Sequence, residues 1–380
     1  MSGAPLVVFA GGGTGGHLFP PLAVASALRL RVPDVRFAFL GTDRAIDRRI
    51  LDGSDCQLIP QPVQPLRARS PWTYPGFLAA WIAARRRCRS YFAATQPVVV
   101  VGTGGFASGP GVVEARRAGI PTALINPDVI PGRANRYLAS RADMIFAQWD
   151  EAAAYFGNHP AVKITGCPVR PEFQGASRQA GLSRFGLDDR RKTLLVTGAS
   201  QGARSLNNAV LAILDDLTSI DGWQLLLITG ATDQDRVSRA WASRVVVGAV
   251  VPFTEHMADA LAAADLVVAR AGGSTLAEIT ALGRPSVLMP YPHHRDRHQE
   301  ANARVLETRG AAKTVEDKTD SRENAASLRR VLVHLMTDDA LRTRMAEEAR
   351  RLGRKDAAGV IASEIIDLSR GALRARTSRV

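Results

Sequence analysis

A rhythm that runs through the chain twice narrows the fold most: short apolar stretches of strand length alternate with amphipathic stretches of helix length. In the first half the apolar stretches are LVVFA, VRFAFLG, PVVVVGTGG, IPTALIN and ADMIFAQ. In the second they are KTLLVTG, WQLLLITG, SRVVVGAVV, ADLVVARAGG and RPSVLMPYP. Strands this short and this apolar belong in a parallel sheet covered on both faces, with each amphipathic stretch as the crossover helix. The pattern predicts an α/β fold of two doubly wound, Rossmann-like domains with a central cleft, where ligand crevices at the strand C-termini meet. A length of 380 residues, beyond the size at which one core usually stops growing, agrees with two domains. GCPVRPEFQGASRQAGLSRFGLDDRR breaks the periodicity with proline, glycine and charge and sets a linker near 166–175. We expect one domain over 1–168, a second over 169–353, and a last helix over about 354–380.

Forty-nine basic residues against 36 acidic ones leave a net charge of +13, which favours an anionic partner: a nucleotide, a phospholipid surface or a pyrophosphate. Cys56, Cys88 and Cys167 are odd in number and lack the paired spacing of zinc or redox sites. A reducing compartment and no metal site are expected. The start, MSGAPLVVFAGGG, has no basic region, and its apolar run from Leu6 to Ala10 reads as a buried strand, not a signal peptide. No uncharged apolar segment is long enough to span a bilayer, so we expect a cytosolic protein or one attached to a membrane from the cytosolic side.

Four glycine loops follow apolar stretches. In GGGTGGH, Gly11, Gly13 and Gly16 satisfy G-x-G-x-x-G between a strand and a helix, where backbone amides can hold a phosphate. A P-loop would need lysine and then Ser or Thr, but His17 and Leu18 stand there. A dinucleotide site would use Asp43 after the second strand, yet would leave the second half without a role. His17 precedes Pro20, a residue suited to a first helical turn. It reads either as a packing or capping side chain, or as a general base kept neutral by the positive end of the helix.

The second loop, GTGGFASGPG at 102–111, reads as a tight turn or as a further phosphate loop. The third, TGASQGARSLN at 197–207, adds Ser200 and Gln201 to a glycine turn. The fourth, ARAGGSTLAEITALG, opens a helix at Gly272 and Gly273, and Thr275 with Glu278 has the spacing of a capping box. The alternative for Glu278 is a carboxylate accepting both hydroxyls of a ribose. In PYPHHRDRHQEANA, His293, His294 and His298 lack the pattern of a metal site, while Gln299 and Asn302 suit a sugar's hydroxyls.

Together these motifs resemble the MurG family, which transfers N-acetylglucosamine from UDP onto undecaprenyl-pyrophosphoryl-N-acetylmuramoyl-pentapeptide in peptidoglycan synthesis. GGGTGGHLFPPLAVA, GTGGFASGPG, IPGRANRYLA, GCPVR, GASQGARSLN, GGSTLAEITALGRPSVLMPYP and DRHQEANA occur in family order over residues 10–310. The resemblance implies a GT-B fold with the acceptor held by the first domain, the donor mainly by the second, and the last helix crossing back to the first. It implies an inverting transfer to the C4 hydroxyl that requires no cofactor and leaves room for a non-essential divalent cation.

Carried over by position, Thr14 and His17 lie at the reaction centre, with His17 as base. Gly13, Gly104, Gly105 and Phe106 line the acceptor, Phe106 standing where many members have tyrosine. Thr14, Gly15, Gly16, Asp128, Arg170, Ser200, Gln201, Asn207, Gly273, Ser274, Thr275, Glu278, Gln299 and Asn302 serve UDP-N-acetylglucosamine. His298 replaces a family glutamine. Ile125, Asn126, Pro127 and Asp128 replace the family's H-E-Q-N, so an amide donor is lost and a charge gained that Arg133 or Arg136 would have to offset.

PWTYPGFLAAWIAARRRCRSYF carries Trp72, Phe77 and Trp81 beside Arg85, Arg86, Arg87 and Arg89. It reads as a surface helix with its aromatic face inward, or as a helix lying in an anionic membrane interface, where each basic residue contributes about 1 kcal/mol. The resemblance favours the second and implies a peripheral protein on the cytoplasmic face of the inner membrane, with no nucleic-acid partner. The alternatives are another GT-B enzyme, with a different lipid acceptor or acting as a UDP-sugar epimerase, and an inactive nucleotide-sugar-binding partner.

Overall fold

The computed structural model describes residues 4–64, 74–198, 202–318 and 320–377. Contacts divide the chain into two units, Met1–Arg170 with Asp356–Val380, and Pro171–Lys355. In the first, β1 (Leu6–Ala10), β2 (Arg36–Gly41), β3 (Cys56–Pro60), β4 (Val99–Gly102), β5 (Thr122–Asn126), β6 (Met144–Ala147) and β7 (Val162–Ile164) form one sheet. Its order is β3-β2-β1-β4-β5-β6-β7, and every pair is parallel. The second unit holds β8 (Lys192–Thr197), β9 (Trp223–Ile228), β10 (Gly248–Val251), β11 (Leu266–Ala269), β12 (Ser286–Leu288) and β13 (Ala312–Thr314). These too are all parallel, in the order β10-β9-β8-β11-β12-β13.

The order places the glycine loops. The first unit winds outward from β1 to β3, then returns to set β4 on the other side of β1, with Ala10 opposite Gly102. The second repeats the reversal between β8 and β11, with Thr197 opposite Ala269. The four loops therefore leave the C-terminal ends of the strand pairs at which winding reverses, where open α/β sheets bind ligands.

Alternation along each strand fills both faces. Val7 and Phe9 of β1 pack with Leu18, Val24 and Leu28 of the helix Gly15–Arg31 and with Ile361, Ala362 and Ile365 of the last helix, Ala357–Thr377. Leu6, Val8 and Ala10 face the opposite side, towards Cys88 and Phe92. In the second unit Leu194, Val196, Leu225, Leu227 and Val268 pack with helices Arg204–Ala212 and Ser321–Thr337.

Three strands lie outside the apolar rhythm of the sequence: β3 and β7 in the first unit, β13 in the second. All three are edge strands; β3 is largely half-buried, and β7 and β13 have three residues each, too few to show a period. The stretch SRVVVGAVV, expected to be one strand, pairs only from Gly248, which aligns with Leu225. Ser243 caps the preceding helix and Val245 is 95% exposed. Pro20 and Pro21 fall in the second turn of helix 15–31, not the first, and are buried.

Candidate active site

In the first unit the loop after β1 is shaped around a carboxylate. Gly12 (φ +125°) and Gly13 (φ +86°) adopt backbone angles that suit glycine, and a Cβ on Gly12 would lie 2.3 Å from Asp47 Oδ2. The carboxylate of the buried Asp47 accepts from the Gly13 N–H (2.8 Å), the Thr42 N–H (2.8 Å) and the Thr42 hydroxyl (2.7 Å). Spacing after the second strand points to Asp43, but Asp43 is exposed and pairs with Arg48. The loop's acid is instead Asp47, in the first turn of the helix Ala45–Leu51, where only the fold reveals its neighbour. The Gly13 N–H is thus engaged inward.

His17 is the third residue of helix 15–31 and half-buried. Its Nδ1 lies 3.2 Å from Thr14 Oγ1 and 3.3 Å from the Gly12 carbonyl oxygen. A carbonyl only accepts, so a hydrogen bond to Gly12 requires the tautomer with its proton on Nδ1 and its lone pair on Nε2. The ring rests on the second glycine loop: a Cβ on Gly104 (φ +94°) would lie 3.1 Å from His17 Nε2, and one on Gly105 (φ +72°) 3.2 Å from Nδ1. Thr103 Oγ1 donates to the His17 carbonyl at 2.9 Å. In a regular helix that carbonyl would receive the N–H of residue 21, which Pro21 lacks. Thr14, Gly15, Gly16, His17, Gly104 and Gly105 are thereby gathered at one place on this unit.

Phe106 is half-buried, and the Arg44 guanidinium lies 5.6 Å from its ring centre. The same Arg44 stands 3.5 Å from where a Cβ on Gly13 would be, a cation at the rim of the loop that no sequence motif announces. Arg170 belongs to the first unit, not the second, and stacks on Phe19 at 4.7 Å. Asp128 is half-buried after β5, and its backbone carbonyl accepts from Asn126 Nδ2 at 2.6 Å. Asn135 Nδ2 donates to Asn126 Oδ1 (3.2 Å) and the Ile125 carbonyl (3.1 Å), so two buried amides hold the unusual Ile125–Asp128 segment.

Of the aromatic and basic stretch, Trp72 lies outside the described residues. In the helix Tyr74–Thr95, Phe77 stacks on Trp81 at 6.2 Å, and Trp81 lies so close to Gly109 that a Cβ there would be 2.6 Å away. Trp81 therefore packs inward. The exposed apolar stripe is Tyr74 (44%), Leu78 (55%) and Ile82 (40%), one residue per turn. Arg85 and Arg89 pair with Glu114 of the helix Ser108–Arg117, while Arg86 and Arg87 are exposed. Burial opposes the charge on Glu114, but hydrogen bonds from Arg89 and Arg85 outweigh it and hold the carboxyl below its usual range.

In the second unit, Ser200 and Gln201 lie outside the described residues. Asn207 is buried, and its Nδ2 donates to the Thr229 carbonyl (2.9 Å) and Asp233 Oδ2 (2.7 Å). Arg236 grips Asp233 and, against the effect of burial and with help from Asn207, keeps that carboxyl below its ordinary range. The capping-box expectation for Thr275 and Glu278 is overturned. The N-cap of the helix Gly273–Ala281 is Gly272, so Thr275 is already its third residue and Glu278 lies a turn further on. Ser274, Thr275 and Glu278 share the half-exposed face, while Leu276, Ala277, Ile279 and Thr280 are buried. A Cβ on Gly272 would meet nothing nearer than Thr275 Oγ1 at 3.9 Å, so nothing crowds that face of the N-cap residue.

Gln299 and Asn302, in the helix His298–Thr308, brace the residue before those glycines. Gln299 Oε1 accepts from the N–H of Ala271 (3.3 Å) and of Tyr291 (2.9 Å), and Asn302 Nδ2 donates to the Ala271 carbonyl (3.0 Å). His298 Nδ1 lies 2.7 Å from Asp296 Oδ1, and its ring packs 4.4 Å from that of His294.

Two parallel-sheet α/β units, each with glycine loops at its winding reversal, give the chain the architecture of the GT-B class. The chain matches the N-terminal domain of glycosyltransferase family 28 over residues 7–147 and its C-terminal domain over residues 193–361. Two curated relatives share the name UDP-N-acetylglucosamine--N-acetylmuramyl-(pentapeptide) pyrophosphoryl-undecaprenol N-acetylglucosamine transferase. That of Desulforamulus reducens is 35% identical over 92% of this chain and 95% of its own length. That of Chlorobium luteolum is 39% identical over 96% of this chain and 99% of its own. The solved structure of MurG from Acinetobacter baumannii superposes with a TM-score of 0.74 at 25% identity, covering 96% of this chain and 99% of that one. The chain belongs to the MurG family.

Proposed function

We infer that the chain transfers N-acetylglucosamine from UDP-N-acetylglucosamine to the C4 hydroxyl of lipid-linked N-acetylmuramoyl-pentapeptide, with inversion, in peptidoglycan synthesis. The observation that carries the residue-level reading is the seating of His17. With Nδ1 turned to the Gly12 carbonyl and Thr14, the basic lone pair is on Nε2, against the second glycine loop. As the C4 oxygen bonds to the anomeric carbon and the bond to UDP breaks, Nε2 takes the hydroxyl proton and UDP departs with the electron pair. The N-terminus of helix 273–281 supplies the partial positive charge that a departing diphosphate needs, and we read the transfer as metal-independent. Glu278, one turn further along the half-exposed face, suits the ribose hydroxyls. The acceptor reaches the first unit from a membrane surface, to which the stripe of Tyr74, Leu78 and Ile82 and the exposed Arg86 and Arg87 attach the chain peripherally. No described helix is long and apolar enough to cross a membrane.

Turnover of UDP-N-acetylglucosamine with the lipid-linked acceptor, alongside UDP affinity, tests this. We expect His17→Ala to lower turnover roughly 10² to 10⁴-fold with UDP affinity retained; unchanged turnover removes His17 from the mechanism. Release of UDP without any lipid acceptor, accompanied by epimerised sugar, would instead establish the epimerase reading.

A further inference from the structure

Beneath the loops assigned to the donor, one side chain that no motif singles out ties together the ends of four strands. Arg270 follows β11 directly, two residues ahead of the N-cap Gly272, and is 7% exposed. Its Nη1 donates to the carbonyls of Met289 (2.8 Å) and Pro290 (3.3 Å), which leave β12. Its Nη2 donates to Ser205 Oγ (2.8 Å), in the first turn of helix 204–212, and pairs with Asp317 Oδ2 (2.7 Å), beyond β13. The Ser205 hydroxyl donates in turn to Asp317 Oδ2 at 2.7 Å, and Asn324 Nδ2 donates to Asp317 Oδ1 at 2.9 Å. The network therefore joins the segments that leave β8, β11, β12 and β13, four adjacent strands of one sheet.

Arginine beside a phosphate loop invites the role of phosphate ligand, but the geometry argues against it here. The guanidinium is buried, turned toward backbone carbonyls and neutralised by an acid that is itself 3% exposed. Buried ion pairs add little stability over apolar residues of the same volume, so their contribution is the geometry they impose. A planar fork reaches in several fixed directions at once, which lysine's single ammonium cannot do. Ala271, next in sequence, is held at both its N–H and its carbonyl by Gln299 and Asn302, so any shift of Arg270 passes to the residues proposed to meet the donor.

We propose that Arg270, Asp317 and Ser205 form a positioning clamp that presets the donor loops for a nucleoside diphosphate sugar, acting through the backbone of Ala271 and Pro290 and not by touching the donor. The inference rests on the UDP-sugar reading above. Its test measures UDP affinity by calorimetry, melting temperature and steady-state kinetics on the full chain. Arg270→Met with Asp317→Leu removes both charges together, a replacement that buried pairs tolerate. The double variant should melt near the wild type yet bind UDP about 10- to 100-fold more weakly, with KM for the sugar nucleotide raised and KM for the lipid acceptor unchanged. Ser205→Ala, a milder change, should weaken UDP a few-fold at constant melting temperature. Wild-type UDP affinity in a folded double variant overturns the clamp. Should that variant fail to fold, unchanged UDP affinity in Ser205→Ala overturns it instead. If the wild-type chain itself bound no UDP, the functional reading would fall; if it binds and the variants bind equally, only the clamp does.

Discussion

His17 illustrates how a single residue acquires a role from neighbours distant in sequence. Its place after a glycine loop is legible in GGGTGGH, and so are its two readings, packing group or base. What selects a tautomer is the Gly12 carbonyl, and what supports the ring is a loop some ninety residues away, positions 104 and 105. Gly104 has both a left-handed φ of +94° and only 3.1 Å between a notional Cβ and the imidazole. Gly104→Ala should accordingly displace the ring and lower turnover by more than tenfold, since small misplacements are costly in catalysis, while UDP affinity stays within twofold of wild type. Wild-type turnover in that variant would show that His17 does not depend on its seat. Asp47 is the converse case, since an acid within an ordinary helical stretch becomes the anchor of Gly13 and Thr42 only when β1 and β2 are side by side.

Helices and strands were legible wherever burial imposes a period. The central strands stand out as apolar runs because both their faces are covered, whereas edge strands β3, β7 and β13 do not. Helix 74–95 shows the limit of composition: its sequence gives aromatics and arginines, but only packing shows that Trp81 faces Gly109 and that Arg85 and Arg89 belong to Glu114. That triad makes the joint between helices 74–95 and 108–117 dependent on pH. The Glu114 carboxyl titrates below its ordinary value of 4.5 in the fold, so its contribution is complete above about that pH and is lost as pH falls through the lower folded value. The difference in melting temperature between wild type and Glu114→Gln should be constant from neutral pH down to about 5.5 and shrink as pH falls through and below 4.5. A difference that persists undiminished at the acid end would mean the side chain acts by shape alone.

For the whole molecule, the net charge of +13 and the exposed stripe of Tyr74, Leu78 and Ile82 lead to one expectation. The chain should float with vesicles containing anionic phospholipid and be released by high salt, each basic residue near the surface contributing about 1 kcal/mol at low ionic strength. Leu78→Ser with Ile82→Ser should reduce flotation; if the chain stays at the bottom of the gradient with every anionic mixture, the peripheral reading fails. The sequence by itself determined the α/β class, two sheets and the four glycine loops, because periodicity and the backbone freedom of glycine are local properties that composition and spacing record. It also carried the family resemblance. Tertiary structure alone decided which polar groups meet: Asp47 under the first loop, Gly272 in place of Thr275 at a helix cap, Trp81 turned inward, Arg270 bridging four strand ends. Gly13 lies 34 residues from Asp47 and the partners of Arg270 lie from 19 to 65 residues away, and a charged side chain carries no mark in sequence of the partner that its burial will require.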